Sequence, residues 1–329
     1  MEQKNQYITQ YPELMKGKKI LYVHGFGSSG QSGTVARIRE VLPNAIVTAP
    51  DLPIHPQEAI DLLNNVCAQE QPDLIIGTSM GGMYTEMLRG FDRILVNPAL
   101  QMADTMKEHN MMGTQQFQNP RQDGIQEFYV DKALVKEYRD VTEQCFEAVT
   151  SDEQQRVWGL FGDEDTTVHS LALFRQHYPT AIRFHGGHRM NDKSFMHSVV
   201  PVIRWIDDRQ EGRERPIIYI DINSLIDKYE HPQSSSQKAV RTLIENYQLF
   251  FVAPSENAEL IKISSWLYDY INVPAYAHTV FTERKDLLYG DYLIDADKTE
   301  GMATLIQFGS DTFKTWDDII EYFSHLGGQ

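Results

Sequence analysis

Short apolar runs alternate with amphipathic segments along roughly the first hundred residues of the chain. The apolar runs predict four strands, at residues 19–24, 45–49, 73–77 and 93–97. Apolar positions at helical spacing, with the glycines and prolines that bound them, predict three helices, at about residues 33–42, 56–69 and 81–89. Strands that alternate with helices are typical of βαβ units, so this part of the chain predicts a parallel sheet.

Residues 98–150 break this alternation. The stretch 101–124 is polar and rich in methionine, and residues 131–149 predict one helix. We interpret about 101–150 as an insertion between strands of the sheet. Because methionine side chains are flexible and apolar, two roles remain open: a small packed subdomain, or a lid with an adaptable surface for an acyl chain.

The rest of the chain predicts two further stretches of α/β structure. The first has predicted strands at 156–161 and 181–185 and predicted helices at about 169–177 and 194–207. The charged run 207–215 (DDRQEGRER) then predicts a domain boundary. The second has predicted strands at 217–222, 249–255, 277–282, 291–295 and 303–308, helices at 257–272 and 315–326, and a loop at 231–237. We therefore predict two α/β domains, residues 1–210 with the lid-like insertion and residues 211–329.

Composition agrees with two globular domains and narrows the range of partners. The chain has 329 residues, more than one ordinary domain holds, with 41% hydrophobic and 23% charged residues. Its formal net charge of −16 repels polyanions, so we expect neither nucleic acid nor a membrane as a partner.

The cysteines and the N-terminal segment indicate the cellular compartment in which we expect the protein. Cys67 and Cys145 show no metal-binding spacing, and we expect both to be reduced thiols. The polar N-terminal segment lacks the apolar core of a signal peptide, and no window holds the roughly 18 apolar residues of a membrane helix. We therefore expect a cytoplasmic protein.

A G-x-S-x-G pattern, from Gly77 to Gly81, lies between a predicted strand and a predicted helix. In this setting the chain turns sharply, and the serine at the apex, Ser79, presents its hydroxyl above the carboxyl edge of the sheet. Glycines flank the turn because side chains there would clash with neighbouring elements. The pattern alone is weak, but the strand–turn–helix setting makes Ser79 a candidate nucleophile.

A serine nucleophile needs a base, and the usual chain order for this motif is serine, then an acid, then histidine. The segment 162–168 (GDEDTTV) and His188 each follow a predicted strand. Since catalytic groups gather at the carboxyl ends of parallel strands, we predict that these groups converge on Ser79. His185 is the alternative base, whereas we interpret His24 as a packing and hydrogen-bonding residue.

Backbone amides would complete such a site by holding a negatively charged oxygen. The residue after the nucleophile, Met80, supplies one N–H group. The loop after the first strand supplies the other, for which we favour Phe26. Losing one such donor typically costs a factor of about 10²–10³ in rate.

These motifs resemble the α/β-hydrolase superfamily, and residues 19–207 resemble its YqiA/YcfP-type small esterases. The matching segments are YVHGFGSSG (22–30), IIGTSMGG (75–82), VNPAL (96–100), GDE (162–164) and GGHRM (186–190). The resemblance implies a parallel sheet with helices on both faces and hydrolysis of a small acyl ester or thioester by Ser79, His188 and an aspartate, with no cofactor. The superfamily pattern G-x-x-D-x-x-V selects Asp165 as this aspartate, whereas the GDE segment selects Asp163 as the alternative.

Residues 216–329 resemble the haloacid-dehalogenase-like phosphatases, especially the 5′(3′)-deoxyribonucleotidase type. The matching segments are IIYIDIN (217–223), LFFVAPS (249–255), TERKDLLYGDYLID (282–295) and the closing helix at Trp316. The resemblance implies a smaller Rossmann-like domain in which Asp221 accepts the phosphoryl group. It further implies that Ser255 and Lys285 bind phosphate. Asp221, the backbone at Asn223 and Asp295 would bind Mg²⁺.

Asn223 departs from this second family, because the family has an acidic residue at that position. An amide has no proton to give to a leaving alkoxide, and general acid catalysis contributes about 10²–10⁴-fold. We therefore interpret the domain as a degenerate phosphatase that serves as a structural module or binds a phosphorylated ligand or a partner. The alternative is an Mg²⁺-dependent phosphatase or nucleotidase.

Overall fold

The computed structural model describes residues 7–227 and 230–326, without the side chains of residues 257 and 258. It divides the chain into two compact units, Met1–Asp207 and Asp208–Gln329. Among the described residues, no helix has both the length and the apolar character needed to cross a lipid bilayer.

The boundary expected from the sequence, between residues 210 and 211, falls inside a helix that spans Val200–Glu211. The charged run 207–215 therefore starts as helix and not as an irregular linker. Asp208 on this helix accepts hydrogen bonds from Arg213 at 2.7 Å and from Arg215 at 2.5 Å. Opposite charges within the run thus pair with one another, which allows an ordered conformation.

The first unit contains the strands β1 (Lys19–Val23), β2 (Ile46–Thr48), β3 (Leu74–Thr78), β4 (Arg93–Val96), β5 (Gly113–Gln116), β6 (Glu127–Val130), β7 (Val157–Gly162) and β8 (Ala181–Phe184). Six of them form one parallel sheet in the order β2-β1-β3-β4-β7-β8, whereas β5 and β6 form a separate antiparallel hairpin. The central strands are buried on both faces, which explains their continuous apolar runs. The carboxyl ends of all six parallel strands lie at one edge of the sheet.

Nine α-helices begin within the described part of the first unit. The last of them extends past the boundary of the unit at Asp207. They are α1 (Gly33–Val41), α2 (Pro56–Glu70), α3 (Met80–Met87), α4 (Met102–Glu108), α5 (Lys132–Thr142), α6 (Ser151–Arg156), α7 (Leu171–Phe174), α8 (Asp192–Ser194) and α9 (Val200–Glu211). A π-helical turn, Phe195–Val199, precedes α9. Proline suits the first turn of α2, and Ala59, Ile60 and Leu63 of that helix are buried at helical spacing.

The insertion consists of α4, the hairpin β5–β6 and α5. Met102 and Met106 of α4 are buried in one apolar cluster with Leu134 and Tyr138 of α5. Their burial favours the interpretation of these methionines as packing residues of a small subdomain.

Two features of the insertion differ from the sequence-based expectation. The helix predicted over 131–149 ends at Thr142, and it does not extend to residue 149 because Phe146 and Ala148 adopt positive φ angles, 65° and 52°, that do not continue an α-helix. The stretch 101–124 contains α4 and the strand β5, neither of which we predicted. The strand sequence, GTQQ, is polar, and it becomes a strand by pairing with β6.

The second unit is built on five parallel strands in the order β11-β10-β9-β12-β13. They are β9 (Ile217–Asp221), β10 (Gln248–Ala253), β11 (Thr279–Phe281), β12 (Tyr292–Asp295) and β13 (Thr304–Gln307). Its α-helices are α10 (Ile222–Leu225), α11 (Ser236–Leu243), α12 (Asn257–Tyr270) and α13 (Trp316–Leu326), with 3₁₀ turns at Val273–Ala275 and Lys285–Leu287. The predicted loop 231–237 ends where α11 begins. This unit therefore has an α/β fold.

Candidate active site

Ser79 occupies the apex of the turn between β3 and α3, with φ 54° and ψ −121°. Such a backbone conformation costs of order 1–3 kcal/mol for a residue with a side chain. The turn packs tightly: a Cβ added at Gly81 would lie 2.1 Å from the carbonyl oxygen of Val23, and one at Gly77 would lie 2.2 Å from Oγ1 of Thr85. Both glycines of the motif are therefore required by the packing around the turn.

His188 and Asp165 form a hydrogen-bonded chain with Ser79. Nε2 of His188 lies 3.0 Å from Oγ of Ser79, and its Nδ1 lies 2.9 Å from Oδ2 of Asp165. Asp165 lies in the loop after β7, and His188 lies in the loop after β8. The Asp165 side chain is 4% exposed and that of His188 is 22% exposed. A substrate could therefore reach the imidazole while the carboxylate stays shielded.

Hydrogen bonds hold Asp165 in its ionised form. Oδ1 of Asp165 accepts the backbone N–H groups of Thr167 at 2.7 Å and Val168 at 3.1 Å. Burial alone would raise the pKa of Asp165, but the hydrogen bonds from His188 and from these two amides outweigh burial and lower the pKa. An ionised Asp165 favours the imidazole tautomer with its proton on Nδ1, which leaves Nε2 free to accept the serine proton.

Asp163, the alternative acid, belongs to a different pair. Its Oδ2 lies 2.7 Å from Nδ1 of His185, and its Oδ1 accepts the N–H of Gly186 at 3.1 Å. The His185 side chain, the alternative base, is 44% exposed. The structure therefore pairs the histidine that contacts Ser79 with Asp165.

His24 is buried, and both of its ring nitrogens bond to backbone groups. Nδ1 donates to the carbonyl oxygen of Gly25 at 2.9 Å, and Nε2 accepts the N–H of Leu52 at 3.1 Å. Burial lowers the pKa of His24, so the ring is neutral. These contacts suit a packing role beneath the loop that follows β1.

The loop after β1, which carries Phe26, runs beside the nucleophile. A Cβ added at Gly25 would lie 3.3 Å from Cβ of Ser79, so the loop backbone runs directly alongside the serine. Met80 is the first residue of α3. Across residues 7–227 and 230–326, neither the Phe26 nor the Met80 amide donates a hydrogen bond. Both N–H groups therefore lack an acceptor within the described part of the chain.

The hairpin β5–β6 lies against the same loop. The rings of Phe26 and Phe128 meet edge to face with their centroids 5.1 Å apart. The N–H of Gln118 donates to the carbonyl oxygen of Gly27 at 2.8 Å. The insertion therefore supplies apolar surface beside Phe26 and holds the loop that carries it.

Asn97 is a buried residue of the site to which the sequence patterns assigned no role. It follows β4, is 2% exposed and has a φ of 45°. Its side-chain amide bonds to the loops that carry Asp165 and His188. In the sequence, Asn97 ends the predicted strand 93–97 and lies within the matching segment VNPAL (96–100). An asparagine at the end of a strand is a hint, because asparagine tolerates a left-handed φ.

In the second unit, two carboxylates and one ammonium group meet at the carboxyl edge of the sheet. Asp221 ends β9, Asp295 ends the neighbouring β12, and both are buried. Nζ of Lys285 lies 3.0 Å from Oδ2 of Asp221 and 2.7 Å from Oδ2 of Asp295. Burial, the largest effect, and the neighbouring Asp295 raise the pKa of Asp221 despite the nearby ammonium.

The residues around Asp221 do not fit an Mg²⁺ site as they are arranged. Every oxygen of the two carboxylates already accepts a hydrogen bond, from Lys285, Thr299 or the backbone N–H groups of Asn223 and Asp297. No cluster of three metal-binding side chains occurs in the part of the chain that the structure describes. In this arrangement the Lys285 ammonium group partly balances the charge of the two carboxylates.

Ser255, the residue expected to bind phosphate, is engaged by a carboxylate. Its N–H and its Oγ both donate to Oε1 of Glu283, at 2.7 and 3.2 Å. A carboxylate at this position repels a phosphate group. Asn223, expected at the metal, contributes its backbone N–H to Oδ1 of Asp221 at 2.9 Å.

Residues 19–204 match the family described as Uncharacterised protein family (UPF0227), and the chain belongs to that family. The match covers the unit that contains Ser79, His188 and Asp165. No curated protein sequence matches the chain significantly.

Several solved structures are similar to a part of the chain. They include a thioesterase domain from the curacin biosynthetic pathway, with 16% identity, a TM-score of 0.35 and coverage of 60% of this chain and 92% of that one. An esterase domain from Rhodothermus marinus has 17% identity, a TM-score of 0.38 and coverage of 57% and 86%. Est1E from Butyrivibrio proteoclasticus has 14% identity, a TM-score of 0.37 and coverage of 62% and 91%. Likenesses at such low identities and TM-scores do not define a function.

Proposed function

We propose that the protein is a serine hydrolase that cleaves a small acyl ester or thioester. The observation that carries this proposal is the continuous chain from Oγ of Ser79 through the imidazole of His188 to Asp165, with steps of 3.0 and 2.9 Å. Nucleophile, base and orienting acid at such distances are the arrangement that activates a serine hydroxyl.

In the proposed reaction, Oγ of Ser79 attacks the substrate carbonyl carbon while Nε2 of His188 takes the hydroxyl proton. The carbonyl oxygen becomes negative and accepts the N–H groups of Phe26 and Met80. The bond to the leaving alkoxide or thiolate then breaks, and Nε2 returns the proton to that group. Water, deprotonated by the same nitrogen, then attacks the acyl carbon of the acyl-enzyme. The bond from that carbon to Oγ of Ser79 breaks, Nε2 returns the proton to Oγ, and the carboxylic acid leaves.

We infer that the half-buried Phe26 side chain favours an apolar acyl group, whereas the Met80 side chain is buried. Phe26 packs against Phe128, and the thioether sulfur of Met80 lies 3.2 Å from the hydroxyl of Tyr138. Aromatic and thioether groups accept apolar surface without leaving polar groups unpaired. The proposed reaction needs no cofactor, because the proton, the nucleophile and the oxyanion donors all come from the chain.

A fluorophosphonate probe on the full chain tests this proposal. We expect the probe to label Ser79, as read by peptide mass spectrometry, and we expect Ser79→Ala to lower kcat on short p-nitrophenyl esters by about 10⁶-fold. Ser324→Ala is a matched control, because Ser324 is an exposed serine that bonds to the backbone of Glu321. Wild-type turnover in Ser79→Ala would refute the assignment.

We further propose that the second unit is a degenerate haloacid-dehalogenase-like module without phosphatase activity. The proposal is supported by Asp221 and Asp295 at the ends of adjacent parallel strands and by Lys285 between them. Its test is 4-nitrophenyl phosphate hydrolysis by Ser79→Ala protein, with and without Mg²⁺, together with calorimetric titration of Mg²⁺. Mg²⁺-dependent hydrolysis that is lost in Asp221→Asn would overturn the proposal.

A further inference from the structure

Asn97 lies where the backbone segments of the candidate active site meet. It directly follows β4, and its side chain makes three hydrogen bonds. Oδ1 accepts the N–H of Gly162 at 2.7 Å, and Nδ2 donates to the carbonyl oxygens of Gly187 at 3.0 Å and His188 at 3.1 Å. Gly162 ends β7, directly before the loop that carries Asp165.

The chemistry of these partners allows one orientation of the amide. A backbone N–H only donates and a backbone carbonyl only accepts, so the oxygen of Asn97 must face Gly162 and its nitrogen must face the two carbonyls. A carboxylate has no N–H to donate, and a serine hydroxyl has only one hydrogen. Asparagine is therefore the short side chain that can satisfy all three partners at once.

The segment that contains Asn97 also supports the nucleophile. The N–H of Ser79 donates to the carbonyl oxygen of Val96 at 3.0 Å, and the N–H of Ala99 donates to the carbonyl oxygen of Ser79 at 2.9 Å. Backbone bonds therefore connect residues 96–99 to Ser79, while the Asn97 side chain connects them to the two following loops.

We propose that Asn97 is a positioning residue that sets the place of His188 relative to Asp165 and Ser79. The inference rests on the proposed hydrolase function. Without the Asn97 amide, the carbonyls of Gly187 and His188 lose a buried donor, and the loop that carries the imidazole is free to shift. A displacement of about 1 Å at a reacting group can cost about 10²-fold in rate.

Two variants separate the effect of the Asn97 side-chain amide from the effect of its backbone conformation. Asn97→Gly removes the amide while keeping the φ of 45° accessible, because glycine adopts positive φ readily. Asn97→Asp keeps the shape and the acceptor for Gly162, but it places a carboxylate oxygen against two carbonyl oxygens. We expect kcat to fall about 10–100-fold in both variants, with little change in KM.

Asn44→Asp is the matched control. Nδ2 of Asn44 donates to the carbonyl oxygen of Pro12 at 2.9 Å, and the residue is exposed shortly before β2, toward the amino ends of the strands. Replacing the amide of Asn44 by a carboxylate should leave kcat unchanged. The measurements are kcat and KM on p-nitrophenyl acetate and the rate constant for fluorophosphonate labelling of Ser79, each scaled by the folded fraction from circular dichroism.

The outcomes distinguish this inference from the function on which it rests. Slower labelling and lower kcat per folded molecule in both Asn97 variants, with an unchanged control, support a positioning role. Wild-type kcat per folded molecule in the Asn97 variants overturns that role, even if their melting temperatures fall. Wild-type protein whose turnover does not depend on Ser79 overturns the hydrolase function, and the inference with it.

Discussion

Nδ1 of His188 lies 2.9 Å from Oδ2 of Asp165, and the same imidazole reaches Oγ of Ser79 with its other nitrogen. A second pair lies in the same two loops, with Nδ1 of His185 2.7 Å from Oδ2 of Asp163. Two aspartate–histidine pairs therefore lie near one another, and the contact with Ser79 assigns the proposed catalytic role to one of them.

Replacement of each aspartate in turn tests this assignment. We expect Asp165→Asn to lower kcat about 10⁴-fold, because the amide no longer orients the imidazole or stabilises its protonated form. Asp163→Asn is the matched change in the neighbouring pair and should alter kcat only a few-fold. Steady-state kinetics on p-nitrophenyl acetate would measure both effects. The reverse pattern would identify Asp163 as the orienting acid.

The tight turn at Ser79 predicts a steric effect on stability. A Cβ at Gly81 would lie 2.1 Å from a backbone oxygen, whereas a Cβ at Gly33, the first residue of α1, meets no atom within 4 Å. We expect Gly81→Ala to lower the free energy of unfolding by about 1–3 kcal/mol or more. Gly33→Ala should be neutral or slightly stabilising. Urea unfolding compares the two, and equal stabilities would contradict the close contact between Gly81 and Val23.

Burial of neutral His24 predicts a pH dependence of stability. Burial lowers its pKa from the ordinary value of 6.5, so below about pH 6.5 the unfolded chain binds a proton that the folded chain resists. The free energy of unfolding should therefore fall as the pH drops, by up to about 1.4 kcal/mol per pH unit from this residue. Urea unfolding at pH 7.5 and 5.5 should show a smaller difference for His24→Gln. Identical differences in the two proteins would rule out His24 as the source.

The ion cluster of the second unit predicts a large effect of one lysine. Lys285→Met leaves Asp221 and Asp295, both buried, without their ammonium partner, and breaking such a pair typically costs about 3–5 kcal/mol. Lys238→Met is the control, because the ion pair of Lys238 with Asp317 is exposed and should contribute little. Hydrogen exchange of β9 and β12 during denaturant titration measures the difference. Equal protection in both variants would show that the cluster does not stabilise the unit.

Much of the fold followed from local patterns in the sequence. The strand at Leu74–Thr78 is buried on both faces, so its apolar run was visible without any knowledge of its neighbours. The strand at Gly113–Gln116 was not visible, because its polar residues form a strand only through pairing with Glu127–Val130. The extent of α5 was also missed, since the positive φ angles at Phe146 and Ala148 exclude a helix through residue 149 and the local composition does not indicate them.

The candidate site likewise combines residues that local sequence patterns predicted with contacts that they did not predict. Ser79 was predicted as the nucleophile because the glycines around it indicate a sharp turn. His188 was predicted as the base because it follows a predicted strand. Lys285 was expected to bind phosphate, but in the structure its ammonium group lies between two buried carboxylates. That position depends on how β9 and β12 lie side by side, which residue spacing along the chain does not specify.

The sequence by itself determined the alternation of strands and helices, the sharp turn at Ser79 and the chain order of the candidate groups, because hydrophobic period and glycine spacing are local properties. Only the tertiary structure decided that His188 faces Asp165, and that Asn97 bonds to the loops that carry both. The physical reason is that these are hydrogen bonds between distant segments, and they form only where the packing of parallel strands brings the ends of those segments together.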